Sequence, residues 1–251
     1  MRPHHSIHCV SDRPTETRRV ILVIADISGY TRFTRLHRLS QAHAESIICE
    51  LLEAVAAETR HPLKLHEFLG DAASFYALSD GTPMTAREVF EQVTRLCKAF
   101  RQRSGELTGE CSLCVCGACR AAGTLRLKVI VHEGQAVITL LRDFERVSGE
   151  DVILAHRLLK NSIPADEYVA VTDGFLRSLG ELPGPAPESR LEQCEGIGEV
   201  AVAVFSAPGS QRTAPAPRPL AAVRAAVRME LYAARRILLN APRRLPRAPA
   251  R

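Results

Sequence analysis

The feature that most constrains the fold is an apolar run that ends on an acid: Val20-Ile21-Leu22-Val23-Ile24-Ala25 leads directly into Asp26-Ile27-Ser28-Gly29-Tyr30. A stretch so rich in branched residues, closed by a Ser-Gly turn, predicts a buried strand over 19–26. A second acid holds a matching place in Leu63-Lys64-Leu65-His66-Glu67-Phe68-Leu69-Gly70-Asp71, where an extended run again breaks into a tight turn. Two carboxylates brought together by adjacent strands make a hard, anionic oxygen site of the kind that holds Mg2+ or Mn2+ against phosphates. The same positions also suit structural duties, Asp26 as a helix cap and Asp71 as a hairpin-turn residue.

Periodicity predicts the rest of the framework. Ile47, Leu51, Leu52 and Val55 recur at helical spacing behind Ala42-His43-Ala44. Two short extended runs, 63–69 and 73–78, flank Gly70-Asp71 as a hairpin, and Val89, Phe90, Val93, Leu96, Cys97 and Phe100 mark a second long helix over 85–105. Strands are expected at 125–132 and 136–141 around Glu133-Gly134, a helix at 149–161, and strands at 168–171 and 199–205. The order β, α, β, β, α, β with appended elements predicts an α+β fold of ferredoxin-like type, a mixed or antiparallel sheet with helices on one face. With 251 residues, 46% of them hydrophobic, the chain can build a proper core.

Charge divides the chain. From Gln211 onward there are ten arginines and one acid, Glu230, so this segment carries +9; the whole carries +5, which leaves −4 for the body. A mildly acidic body argues against a nucleic-acid-binding core. The expected organisation is a flexible tail at 1–18, a domain at 19–206 with a cysteine-rich insert at 111–119, a Pro/Ala-rich linker at 207–219, and a basic amphipathic helix and tail at 220–251. In the last segment Leu220, Val223, Val227, Leu231, Ala234 and Leu238 recur at three and four residues among arginines. Such a helix suits an anionic membrane surface or a protein partner, or packs back on the acidic body. No apolar signal region or membrane-spanning stretch is evident, so a cytoplasmic protein is expected, with peripheral membrane attachment open to its basic segment.

Three blocks then align with a known family: Ala25-Asp26-Ile27-Ser28-Gly29-Tyr30-Thr31, Gly70-Asp71-Ala72, and Gly149-Glu150-Asp151-Val152-Ile153-Leu154-Ala155-His156-Arg157-Leu158. In order and approximate spacing they resemble class III adenylyl and guanylyl cyclase catalytic domains, and most of all a divergent bacterial branch, the DUF2652 proteins. The resemblance implies that Asp26 and Asp71 hold two divalent cations, that ATP or GTP is the ligand, and that the site forms between the two subunits of a homodimer. It also implies that Arg157 stabilises charge developing on the phosphate, and that Glu67 and Arg146 occupy the base-reading positions. Two departures stand out. Ile153 occupies the place of an Asn that orients the ribose, and Ile can neither donate nor accept a hydrogen bond. Arg146 matches neither the adenylyl nor the guanylyl pattern. The resemblance therefore leaves two functions open: a nucleotidyl cyclase, or a degenerate signalling module that binds nucleotide or a protein partner.

Eight cysteines include Cys111, Cys114, Cys116 and Cys119, two C-x-x-C units separated by one residue. Four thiolates at this spacing suit Zn2+ in an all-cysteine site, although four ligands within nine residues crowd a tetrahedron. A redox pair and a set of packed thiols are the other readings.

Overall fold

The computed structural model describes residues 15–36, 40–110, 114, 116–180 and 186–206, together with 227 and 231. Its first strand, β1 (Thr15–Ser28), shows why the opening run is apolar without interruption. Ile21, Val23, Ala25 and Ile27 face one side of the sheet, where they pack with helix α2 (Gln41–Ala57), helix α3 (Pro83–Glu110) and helix α6 (Asp173–Leu179). Val20, Leu22 and Ile24 face the other side, against Ala155 of α5 (Glu150–Arg157). A strand covered on both faces needs apolar residues at every position rather than at alternate ones.

This arrangement corrects one expectation. The helices are not confined to one face, because the short α5 covers the side opposite α2, α3 and α6. The α+β framework stands, with β1, α2, β2 (Lys64–Leu69), β3 (Ala72–Leu78), α3 and β4 (Arg126–Leu141) in the expected order. A short helix α1 (Tyr30–Leu36) follows the Ser-Gly turn, and α4 (Gly117–Ala121) precedes β4. β5 (Phe144–Ser148), β6 (Tyr168–Thr172), β7 (Glu188–Cys194) and β8 (Gly198–Ser206) complete an eight-stranded sheet of order β2-β3-β1-β4-β6-β8-β7, with β5 paired to β4. All pairings are antiparallel except β4 with β6.

Two further expectations change. The strands expected at 125–132 and 136–141 are one continuous strand, β4, paired with β1 from Thr15↔Thr139 to Ser28↔Arg126. Glu133 does not turn the chain; it is buried in mid-strand, ion-paired with Arg19 at 2.9 Å and receiving hydrogen bonds from the Ser79 and Ser178 hydroxyls. Gly134 is there for clearance, since a Cβ at that position would collide with the Asp151 carboxyl. The reversal instead falls at Arg142-Asp143, with Arg142 in the left-handed region at φ 57°. The second change is at the start: β1 begins at Thr15 rather than Arg19, because the partner strand is long enough to extend the ladder beyond the core. The N-terminal tail ahead of Thr15, the 207–219 linker and Cys111 lie outside the described residues. So does the 220–251 segment except for Val227 and Leu231, which are helical and exposed.

Candidate functional site

The strand register explains how the two aspartates meet. Asp26 pairs with Ala72 across β1 and β3, next to Asp71 in the β2–β3 turn, and the Ile27 amide donates to the Asp71 carbonyl oxygen at 3.1 Å. Gly70 makes that turn possible by taking φ 62°. Burial is the main force that raises the Asp71 carboxyl to about 6, and the neighbouring Asp26 charge adds to it; its own backbone hydrogen bond and Lys128 pull the other way. Two carboxylates are thus close enough to repel, which is the electrostatic condition of a cation site.

A cation of the protein's own already shares that charge. Lys128, the cross-strand partner of Asp26 on β4, places Nζ 3.0 Å from Asp26 Oδ2 and donates to the Leu159 carbonyl oxygen, also at 3.0 Å. Both side chains are mostly buried, 20% and 15% exposed, so the pair is shielded from bulk water. Sequence reading passed over Lys128. Its register opposite Asp26 becomes visible only once β1 and β4 are known to pair.

Glu67, Arg146 and Ile153 come together elsewhere. They line an open cleft of about 670 Å³ with His66, Phe144 and Glu150. His66 stacks on Phe144 with ring centroids 5.7 Å apart and sits 3.5 Å from Glu67. Ile153 is 52% exposed in this wall. Neither aspartate lines the cleft, and neither does Arg157. Arg157, the last residue of α5, packs its guanidinium on Gly196 in the β7–β8 turn, where an added Cβ would approach it to 2.9 Å. Nearby, His156 is held below the usual imidazole value by burial, against the opposing pull of Glu67.

The position of α5, and with it that of Ile153, is fixed from below by polar contacts. Asp151 lies 3.0 Å from His132 Nε2 and accepts from the Gln135 amide at 2.6 Å, while His132 Nδ1 reaches the Thr172 hydroxyl at 2.9 Å. His132 is therefore a partnered core residue.

The cysteine-rich insert meets a histidine that the sequence reading did not single out. Cys114, Cys116 and Cys119 surround Nδ1 of His43 at 3.6, 3.5 and 3.7 Å. Cys116 precedes α4 as its cap and accepts from the Cys119 amide at 3.4 Å. Burial opposes ionisation of Cys116, but that amide, His43 and the adjacent thiols outweigh it and bring the thiol down to about 7. Burial, with the neighbouring thiols, pushes Cys114 up to about 11. All three cysteines are in the thiol form rather than joined in disulfides. Among the described residues, no helix is long and apolar enough to cross a membrane.

Comparison with known proteins places this architecture. A family model described as protein of unknown function (DUF2652) matches residues 48–168. The uncharacterized protein Rv2561/Rv2562 of Mycobacterium tuberculosis is 31% identical over 152 residues, covering 61% of this chain and 69% of that protein. Among solved structures, the guanylyl cyclase Cya2 aligns at TM-score 0.60 with 16% identity, over 80% of this chain and 98% of that one. The adenylyl cyclase CyaB from P. aeruginosa aligns at 0.56 with 12% identity, over 79% and 100%. A class III adenylyl cyclase-like ATP-binding protein from Pseudomonas aeruginosa aligns at 0.54 with 15% identity, over 65% of this chain and 35% of that one. The chain belongs to the DUF2652 family and carries the fold of class III nucleotidyl cyclase domains.

Proposed function

We propose that this chain binds a nucleoside triphosphate, ATP or GTP, through Mg2+ or Mn2+ held at Asp26 and Asp71, and that a second copy of the chain completes the site. The observation that carries this reading is the meeting of the two carboxylates at adjoining strand ends, where the charge of Asp26 helps hold Asp71 up at about 6. A divalent ion relieves that repulsion and offers its remaining positions to phosphate oxygens. The cleft of His66, Glu67, Phe144 and Arg146 supplies an aromatic wall and two charged groups suited to a base. Because the aspartates do not line that cleft, one protomer's carboxylates would face the cleft of its partner. The basic 220–251 segment would then attach the domain to an anionic membrane surface or a protein partner.

Cyclisation is the reaction such a site can support. The ribose 3′-hydroxyl gives up its proton to solvent as its oxygen attacks the α-phosphorus in line, the bond from that phosphorus to the α,β-bridging oxygen breaks, and pyrophosphate leaves. A divalent ion held by Asp26 and Asp71 would supply the charge that offsets the departing oxygens. A second reading, nucleotide binding without turnover in a regulatory module, is favoured by specific observations. Ile153 presents an apolar wall where a ribose contact is needed, Arg157 is engaged with Gly196, and Lys128 occupies one face of Asp26. Loss of a single orienting contact costs about 100-fold or more in rate.

Incubating the full chain with Mn2+ and either ATP or GTP separates the readings. Cyclic product that disappears in Asp26→Ala supports turnover. Binding without product assigns the regulatory role, and absence of binding to either nucleotide contradicts both.

A further inference from the structure

We propose that His43, Cys114, Cys116 and Cys119 form a closed Zn2+ site that fastens the start of α2 to α4, with His43 as the fourth ligand. The four donor atoms lie within 4.8 Å of one another. The three sulfur-to-Nδ1 distances, 3.6, 3.5 and 3.7 Å, are what a shared ion requires. With Zn–S near 2.3 Å and Zn–N near 2.0–2.1 Å, the S–N edge of a tetrahedron is about 3.6 Å. Hydrogen bonding accounts for less. One imidazole nitrogen carries either one proton or one lone pair and so serves one thiol well, whereas three sulfurs sit at near-equal distance from it. An ion at the centre accounts for all three.

The donor set also selects the metal. Three thiolates and an imidazole are soft and borderline ligands, which favour zinc over the Mg2+ or Mn2+ proposed for the aspartates. A set of four protein ligands leaves no open position for water or substrate, so the role is structural. The place in the fold fits that role. His43 lies in the first turn of α2, and the ligands on the other side, separated from it by more than seventy residues of chain, come from Cys114 and the segment opening α4. α4 also touches α1, the helix that opens just after the Asp26 turn, so a metal here braces the backbone that presents Asp26. Crowding of four ligands within nine residues, the difficulty with an all-cysteine site, is removed when the fourth ligand arrives from another helix.

The test is metal analysis of the full chain, untagged and purified under reducing conditions, with zinc supplied in the growth medium. Stoichiometric zinc is expected in the wild type and in Cys111→Ser, with loss of at least tenfold in affinity in His43→Ala and Cys116→Ala. Replacing zinc with Co2+ in the wild type gives a readout independent of any variant's folding: a thiolate-to-cobalt charge-transfer band with the visible bands of a tetrahedral site. Folded, reduced wild type that contains no zinc and gives no such Co2+ spectrum overturns the proposal. Loss of metal in Cys111→Ser with retention in His43→Ala also overturns it, by returning the site to four cysteines.

Discussion

Asp26 and Asp71 stand at strand ends and share their charge with Lys128, while His43 and three cysteines converge from a helix start and a distant insert upon a single nitrogen. The first pair is hard, anionic and incomplete: two carboxylates leave most of a Mg2+ or Mn2+ coordination shell for phosphate and water. The second set is soft and complete within one chain. The contrast teaches that the two ions would do different work. Zinc at the cluster would be part of the fold, whereas an ion at the aspartates would come and go with nucleotide.

The largest expected effect tests that division. Stripping zinc with a strong chelator should lower Tm by roughly 10 °C, since a closed structural site contributes several kcal/mol to folding. Removing Mg2+ or Mn2+ alone should leave Tm almost unchanged, and differential scanning calorimetry reads both. Next comes Asp71→Asn, which should weaken Mn2+-dependent nucleotide binding by about 30- to 100-fold while the domain stays folded. A drop in Tm as large as the zinc effect would mean that Asp71 is a structural turn residue. Lys128→Met should destabilise the metal-free protein by about 2 kcal/mol, because Asp26 is left mostly buried without its cation. Mn2+ should restore more Tm in this variant than in the wild type; equal restoration in both would separate Asp26 from the metal.

Acidity sharpens the comparison further. Asp71 is raised from 3.8 to about 6 in the folded chain, so the metal-free native state holds its proton more tightly than the unfolded state does. The stability this carboxyl contributes is fully present below about pH 4 and is lost as pH rises through about 6. Metal binding runs the other way, since it needs the carboxylate, and should weaken by about tenfold per unit below pH 6. Calorimetric titration of Mn2+ between pH 5 and 7 checks the sign, and Asp71→Asn should remove the slope. The smallest effects belong to the cleft. Glu67→Ala or Phe144→Ala should reduce nucleotide affinity about three- to tenfold without altering metal affinity, measured with a fluorescent nucleotide analogue.

Much of the framework was legible because strong local patterns decided it. The apolar run of β1 needed only its unbroken branched residues, and the hairpin around Gly70-Asp71 only a turn glycine between two short extended runs; the structure forms both. Local signals misled where a distant partner set the outcome. Glu133-Gly134 has the composition of a turn, yet Arg19, Ser79 and Ser178 satisfy the acid inside a continuous strand and Asp151 occupies the space that glycine leaves. The charged strand β7, which carries Glu188, Arg190 and Glu192 and forms the sheet's end beside β8, gave no apolar pattern to follow. The aspartates were legible as a motif, whereas Lys128 was not, because a cross-strand register is not written in either strand alone. The cysteines were visible as a cluster, but their histidine was not. A count of three thiols beside one imidazole becomes a signal only when the fold brings residues 43 and 119 together.

The central claim is metal-dependent nucleotide binding at Asp26 and Asp71, and its most direct measurement is calorimetric titration of the full chain with a non-hydrolysable ATP or GTP analogue, with and without Mn2+. Binding that needs Mn2+ and falls by at least 30-fold in Asp71→Asn is the predicted result. Equal binding with and without the ion, or undiminished binding in Asp71→Asn, would contradict the account.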